Sequence, residues 1–261
     1  WAGRNEMQNL RYLNLPEVFR LGRLADRYKM FGKNRLPDHP EFGPVRNFTY
    51  ACDELVGSYR KTEQEYTPEI QQGLEKTIKQ CIRAYAKDVG RCRFVDKSQS
   101  YTLKIPLLRR CLSNPKFVLV ARNPFALCAR YAQPQRTDRQ WRRPPGIERK
   151  LEVSIQHWKN TFSIALEDLK GQTDGLVVRF EDFLAAPEPV VRKILNFLEL
   201  PWEEGLLPSV DDRLPVGSID GEKWYPFKTD VNRRYLEPLD GSIKKHMEEQ
   251  LGQVAAALGY E

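Results

Sequence analysis

Apolar side chains recur every three or four residues in several separate parts of the chain. The run from Leu151 to Lys170 is the clearest, because Leu151, Ile155, Trp158 and Phe162 fall on one face of a helix. The same spacing predicts the other helices, which we place at Glu69–Asp88, Tyr101–Cys111, Pro187–Leu200 and Asp240–Leu258. Each of these helices has an apolar face and therefore needs a core to pack against.

Short apolar runs of the length of a strand lie between these helices. Lys116–Ala121 and Leu176–Phe180 are rich in valine, and Cys92–Asp96 is another short run before them. Such runs predict strands, and we expect Lys116–Ala121 to be a buried one. Because strands alternate with helices, the pattern favours an α/β fold with a central, mainly parallel sheet.

The residues after Lys116–Ala121 are suited to bind an anion. Arg122 follows the strand, Asn123 is a good N-cap, and Pro124 suits the first position of a helix. Ligands in open α/β sheets bind at the carboxyl ends of strands, and a helix start attracts anions. An arginine adds a planar fork that matches a phosphate. The alternative is a plain strand–turn–helix whose arginine pairs with a surface carboxylate.

Composition and charge narrow the class of protein. The chain has 261 residues, a net charge of +7 and a pI near 9.1, so we expect one soluble domain over residues 1–261. A basic protein of this kind favours an anionic partner such as a nucleotide, a sulfated or carboxylated substrate, nucleic acid or a membrane surface. No apolar run approaches the roughly 20 residues that span a bilayer, so we expect no stable membrane insertion.

The cysteines and histidines predict neither a metal site nor a disulfide framework. The five cysteines are scattered, none forms a CxxC pair, and only three histidines are present. Zinc sites need closely spaced ligands, so we expect no metal. Unpaired cysteines fit a reducing compartment, which predicts a cytoplasmic protein.

A long basic segment follows the predicted helix at Pro124. The stretch from Gln133 to Gly146 contains four arginines around Trp141. Long loops are often lids or binding segments, and basic residues mixed with an aromatic ring are also found in nucleic-acid-binding proteins. We expect a solvated loop over an anionic ligand and no nucleic-acid partner.

Three blocks of sequence resemble sulfotransferases that use 3′-phosphoadenosine 5′-phosphosulfate (PAPS), especially the carbohydrate and bacterial members. Phe94-Val-Asp-Lys-Ser-Gln-Ser-Tyr is similar to "K-S-P-x-Y", and Lys116-Phe-Val-Leu-Val-Ala-Arg-Asn-Pro is similar to "K-F-I-x-x-x-R-D/N-P". Val177-Val-Arg-Phe-Glu-Asp-Phe-Leu resembles "V-x-Y-E-D-L", followed by Phe197-Leu-Glu-Leu-Pro. The order and spacing of the blocks make the resemblance specific from Phe94 onward. It implies a P-loop-like, three-layer α/β/α fold.

The resemblance assigns donor-binding roles to individual residues. It implies that Arg122 holds the 3′-phosphate of PAPS, and that Arg130 occupies the position where family members usually carry a phosphate-binding serine. Lys97 matches a lysine near the reaction centre, while Lys223 and Trp224 resemble a basic loop that closes over the donor. PAPS is then the donor and 3′-phosphoadenosine 5′-phosphate (PAP) the product, with protein cations in place of a metal.

The acceptor side is less defined. The resemblance implies sulfonate transfer to a hydroxyl of a small molecule, lipid or carbohydrate. Members of the family use a histidine or glutamate as the base, which makes His39, Glu41 and Glu54 candidates.

The family also carries a phosphosulfate loop, a strand followed by "P-R/K-S-G-T-T/S", and the given chain contains no match to it. We expect the N-terminal strand and this loop to lie outside the 261 residues. If an N-terminal anchor preceded them, the location would instead be the Golgi lumen. Two other functions stay open: an inactive sulfotransferase-like module that binds an anionic glycan or nucleotide, and a nucleotide kinase-like P-loop transferase. The kinase would need a Walker lysine, and no such motif is visible.

Overall fold

The chain divides into two compact units, Trp1–Pro115 and Lys116–Glu261. The structure is a computed structural model, and it describes residues 39–41, 50–85, 90, 93–96, 99–133, 146–207 and 229–260. Most of the predicted basic loop at Gln133–Gly146 lies outside these residues. That the 261 residues form one domain stays a prediction.

The helices of the first unit are α1 (Val56–Tyr59), α2 (Pro68–Tyr85) and α3 (Ile105–Cys111), with 3₁₀ helices at Glu63–Glu65 and Gln99–Leu103. The predicted helix at Glu69–Asp88 is confirmed as α2. The helix predicted at Tyr101–Cys111 is divided into a 3₁₀ turn and α3. Pro106 explains the division, because proline has no N–H and its ring clashes with the carbonyl four residues earlier in a continuous helix.

The strand predicted at Cys92–Asp96 is wrong for the residues that the structure describes there. Residues 93–96 have no regular secondary structure. A short apolar run becomes a strand only when a neighbouring strand pairs with its backbone groups. In the described parts of the chain, the sheet consists of two strands from the second unit.

Lys104 is buried in the first unit at the start of α3. The residue is 1% exposed, and its Nζ lies 5.8 Å from the centre of the Tyr101 ring. Burial, together with the positive charge of Lys61, lowers the pKa of the Lys104 ammonium to about 8. The charged form of Lys104 is therefore less favoured in the folded protein than in the unfolded chain.

Replacing Lys104 by methionine is expected to stabilise the protein at neutral pH. At pH 7 the folded protein carries the charge at a cost on the order of 1–3 kcal/mol, which methionine of similar length removes. Because the folded pKa is depressed, the unfolded state binds more protons between about pH 8 and pH 10.5, and wild-type stability rises across this window. Urea unfolding of both proteins should therefore show that Lys104→Met has the higher free energy of unfolding and that the difference shrinks as the pH rises. Equal stability at pH 7 would contradict the burial cost.

The second unit is built on two parallel strands, β1 (Phe117–Ala121) and β2 (Gly175–Arg179). Their register pairs Phe117 with Gly175 and Ala121 with Arg179, so the two carboxyl ends lie side by side. Parallel neighbours need a long crossover connection, and two helices supply it here. The prediction of an α/β fold with a parallel sheet is confirmed.

The helices of the second unit are α4 (Pro124–Ala132), α5 (Ile147–Leu169), α6 (Phe180–Ala185), α7 (Pro187–Phe197), α8 (Arg233–Leu236) and α9 (Gly241–Ala257). α4 and α9 pack against α5, α8 packs against α4, and α7 packs against β2. The predicted helices at Leu151–Lys170, Pro187–Leu200 and Asp240–Leu258 are confirmed with small shifts at their ends.

Two details of the second unit differ from the prediction. β1 is not buried throughout, because Val120 is 54% exposed while Leu119 and Ala121 are buried. No helix is predicted directly after Leu176–Phe180, but the strand continues directly into α6. The acidic side chains of Glu181 and Asp182 lie in the first turn of α6, where they complement the helix dipole. Pro187 explains the end of this helix, since a residue before proline disfavours the helical conformation.

Candidate functional site

Arg122 lies between the carboxyl end of β1 and the start of α4. The side chain of Asn123 accepts a hydrogen bond from the backbone N–H of Ala126 at 2.9 Å, and Pro124 is the first residue of the helix. The predicted N-cap and helix start are thus confirmed. The indole Nε1 of Trp158 donates to the carbonyl oxygen of Arg122 at 3.3 Å. The backbone of Arg122 is therefore held by α5 as well as by its own helix start.

The guanidinium of Arg122 contacts Asn232 and Phe180. Its Nε and Nη2 donate to Oδ1 of Asn232 at 3.1 and 2.9 Å. The guanidinium carbon lies 5.4 Å from the centre of the Phe180 ring. In the described part of the chain, the guanidinium of Arg122 thus binds a side-chain amide. The alternative from the sequence was that it pairs with a surface carboxylate.

Glu181 lies at the centre of this hydrogen-bond network. Its Oε1 accepts from the Asn232 side-chain amide at 2.6 Å and from the backbone N–H of Asn123 at 3.0 Å. Its Oε2 accepts from the hydroxyl of Tyr260 at 2.7 Å. Burial by itself would raise the pKa of the Glu181 carboxyl, but these hydrogen bonds lower the pKa below its ordinary value. Glu181 is therefore a carboxylate at neutral pH.

A second arginine adds positive charge near Arg122. Arg130 lies in the last turn of α4, half-buried, with its guanidinium 6.0 Å from the centre of the Tyr131 ring. Burial and the charge of Arg130 lower the pKa of Arg122, while Glu181 opposes that change. Two cations that repel each other in a half-buried site are stabilised by an anion placed close to both.

The start of α4 offers fewer free N–H groups than the sequence suggested. The N–H of Asn123 donates to Glu181, and that of Ala126 donates to the Asn123 side chain. These two donors are satisfied within the protein and are not available to a ligand. An anion at this position would therefore be bound mainly by guanidinium groups, and the 3′-phosphate of PAPS fits that donor set.

The three base candidates lie close together in the first unit. The Nδ1 of His39 accepts a hydrogen bond from the backbone N–H of Glu41 at 3.1 Å, and its Nε2 lies 3.8 Å from Oε2 of Glu54. Since Nδ1 accepts, a neutral His39 carries its proton on Nε2. His39 is 2% exposed, whereas Glu41 is exposed and the side chain of Glu54 is 30% exposed.

Cys52 completes a group of three possible metal ligands with His39 and Glu54. Their ligand atoms lie within 4.8 Å of one another. Burial and a hydrogen bond with Glu54 raise the pKa of the Cys52 thiol to about 12, so the thiolate that metals bind is disfavoured. The proton on Nε2 of His39 also occupies the nitrogen that faces the group. In the protein without an ion, Cys52 is therefore a thiol, and an ion bound by this group would have to displace its proton.

The other site residues predicted from the sequence, Lys97, Lys223 and Trp224, lie outside the described residues. Their roles near the reaction centre and in a loop over the donor stay predictions.

The sequence alone did not reveal the residues that hold Arg122. Asn232 is 110 positions from Arg122 and Glu181 is 58 positions from Asn123, and no local pattern selects either residue as a partner. Tyr260 gave one local signal: Gly259 follows an amphipathic helix, which is typical of a helix end whose next residue folds back.

None of the described helices has the length and apolar character that would let it cross a membrane.

Two solved structures are similar in fold. The sulfotransferase domain from the curacin biosynthetic pathway is 18% identical with a TM-score of 0.52, covering 82% of this chain and 81% of that one. The sulfotransferase domain from the Synechococcus PCC 7002 olefin synthase is 18% identical with a TM-score of 0.50, covering 94% and 90%. At this identity the likeness shows the P-loop-like α/β fold. Curated protein sequences give no match.

A family profile also matches the chain. The profile described as "Sulfotransferase family" matches residues 32–204, which is about two thirds of the chain and includes β1, Arg122 and the segment after β2. The match contains all three blocks that carry the sequence resemblance. The chain belongs to the sulfotransferase family.

Proposed function

We propose that this protein transfers a sulfonate group from PAPS to a hydroxyl group of a small molecule, lipid or carbohydrate. One observation carries the proposal: the half-buried guanidinium of Arg122 lies at the carboxyl end of β1 with the charge of Arg130 nearby. Ligands of α/β proteins bind at this end of the sheet. Membership of the sulfotransferase family supports the proposal that this cationic site binds the donor.

In this reaction PAPS supplies the sulfonate, and PAP is the product. The protein's own residues bind the donor and remove the proton from the acceptor hydroxyl. Arg122 and Arg130 would hold the 3′-phosphate, with Lys223 and Trp224 as the proposed donor-closing loop and Lys97 as the proposed cation near the reacting group. A cation near the reacting group, the role proposed for Lys97, would stabilise the negative charge that develops on the leaving 5′-phosphate.

Among the base candidates, Glu54 suits proton removal better than its neighbours. Its carboxylate is an acceptor and is partly accessible, at 30% exposure. His39 is buried and carries its proton on Nε2, and its Nδ1 accepts a hydrogen bond from the backbone N–H of Glu41, so neither ring nitrogen is placed to take a proton. We therefore propose Glu54 as the base, with the Nε2 of His39 3.8 Å from its carboxylate.

Calorimetry with PAP on the full chain tests the donor, and we expect a Kd in the micromolar range or tighter. Sulfonate transfer to a panel of alcohols, lipids and sugars then tests the reaction. Binding of ATP in preference to PAP would favour the kinase-like transferase. Failure to bind PAP together with binding of a heparin oligosaccharide would favour a glycan-binding module and would overturn the proposal.

A further inference from the structure

Tyr260 connects the end of the chain to the arginine of the donor site. The hydroxyl of Tyr260 donates to Oε2 of Glu181, and Oε1 of the same carboxylate accepts from Nδ2 of Asn232. Oδ1 of Asn232 then accepts from two N–H groups of Arg122. We propose that Tyr260, Glu181 and Asn232 are positioning residues that set the affinity of Arg122 for the donor's 3′-phosphate. This inference rests on the proposed function.

The chemistry of the three groups fixes the direction of each hydrogen bond. A carboxylate only accepts and a guanidinium only donates, so the amide between them has one possible orientation. Its NH₂ group faces Glu181, and its oxygen faces Arg122. The negative charge of Glu181 thereby orients Arg122 without a direct ion pair. A direct pair would place a carboxylate against the guanidinium, in competition with a phosphate.

The end of α9 brings Tyr260 to this carboxylate. Gly259 adopts a φ of 73°, and its N–H donates to the carbonyl of Ala256, while the N–H of Tyr260 donates to the carbonyl of Ala255. This pair of bonds is the Schellman motif, in which a left-handed residue turns the chain back over the helix end. The motif places Tyr260 in the interior of the unit, where it is 4% exposed.

The aromatic ring of Tyr260 has a separate contact that keeps the residue in place. The guanidinium carbon of Arg179, the last residue of β2, lies 4.5 Å from the centre of the ring. A phenylalanine at this position would keep the ring, its burial and the cation–π contact, and would lose only the hydroxyl. Tyr260→Phe therefore removes the hydroxyl, with its hydrogen bond to Glu181 and its interaction with the Arg179 side chain, and leaves the packing of the helix end.

Affinities for two nucleotides separate a positioning role from a purely structural one. PAP carries the 3′-phosphate that Arg122 is proposed to bind, and adenosine 5′-phosphate is the same nucleotide without it. We expect Tyr260→Phe and Glu181→Gln to raise the Kd for PAP about three- to tenfold, which is less than for loss of a bond made directly to the ligand, because both residues act on Arg122 through Asn232. The Kd for adenosine 5′-phosphate should not change. Once Arg122 is replaced by alanine, Tyr260→Phe should have no further effect.

Tyr66→Phe is the matched control, because the Tyr66 hydroxyl donates to Gln71 at the same distance of 2.7 Å and belongs to the other unit. It should leave the PAP affinity unchanged. Wild-type affinity for PAP in Tyr260→Phe, with binding lost in Arg122→Ala, would overturn the positioning role and leave the proposed function standing. An equal loss for both nucleotides would also overturn it, as a general loosening of the unit. Failure of the wild type to bind PAP would instead overturn the proposed function.

Discussion

Arg122→Ala is expected to weaken the binding of PAP about 10- to 100-fold in calorimetry on the full chain. Each tenfold step corresponds to about 1.4 kcal/mol, and a hydrogen bond to a charged group contributes about 1.5–3 kcal/mol. The loss should lie at the upper end of that range, because Arg122 is half-buried and its field is screened less than that of a surface arginine.

The lysine variant tests how Arg122 binds. Arg122→Lys keeps the positive charge but loses the planar fork, so its affinity should fall between those of the wild type and Arg122→Ala. Arg192→Ala is the control: Arg192 pairs with Glu188 on α7 and contacts Trp202, away from the network around Arg122. Wild-type affinity for PAP in Arg122→Ala would remove this residue from the site.

The part of the site that the sequence could predict is formed by neighbours in the chain. Arg122, Asn123 and Pro124 are consecutive, and the N-cap preference of asparagine with the first-turn preference of proline acts within three residues. The chemistry is therefore determined locally, and the structure places the helix start where the pattern predicts it. Long helices are predictable for a similar reason, since their apolar spacing is repeated many times.

The network that holds Arg122 could not be predicted in this way. Glu181 and Tyr260 are separated by 79 positions, and Asn232 is 110 positions from Arg122. No local preference of a glutamate, a tyrosine or an asparagine selects these partners, because Glu181 lies at the start of α6, Asn232 before α8 and Tyr260 after α9, and they meet only in the folded unit. The start of α6 directly after β2 was not predicted either, because no glycine or proline between them marks the change from strand to helix.

A second large effect is expected in the core behind the site, from Trp158→Ala. Trp158 is 2% exposed, and its ring centre lies 4.6 Å from that of Phe162 in the middle of α5. Removing a buried aromatic side chain costs the transfer free energy of its surface and leaves a cavity, together about 3–5 kcal/mol. It also removes the hydrogen bond to the carbonyl of Arg122. A loss of this size is a large fraction of the total stability of a typical domain.

Urea unfolding followed by far-ultraviolet circular dichroism measures the loss of stability in Trp158→Ala, and two further variants serve as comparisons. Trp158→Phe keeps most of the packing and loses the N–H donor, so we expect a smaller loss of about 1–2 kcal/mol and a weaker affinity for PAP. Trp202→Ala removes a half-buried indole that contacts Arg192, and it should cost less than Trp158→Ala. A loss below about 1 kcal/mol in Trp158→Ala would contradict the tight packing of α5. If Trp158→Phe kept the wild-type affinity for PAP, the bond to the carbonyl would serve the core alone, and the side-chain network would be sufficient to position Arg122.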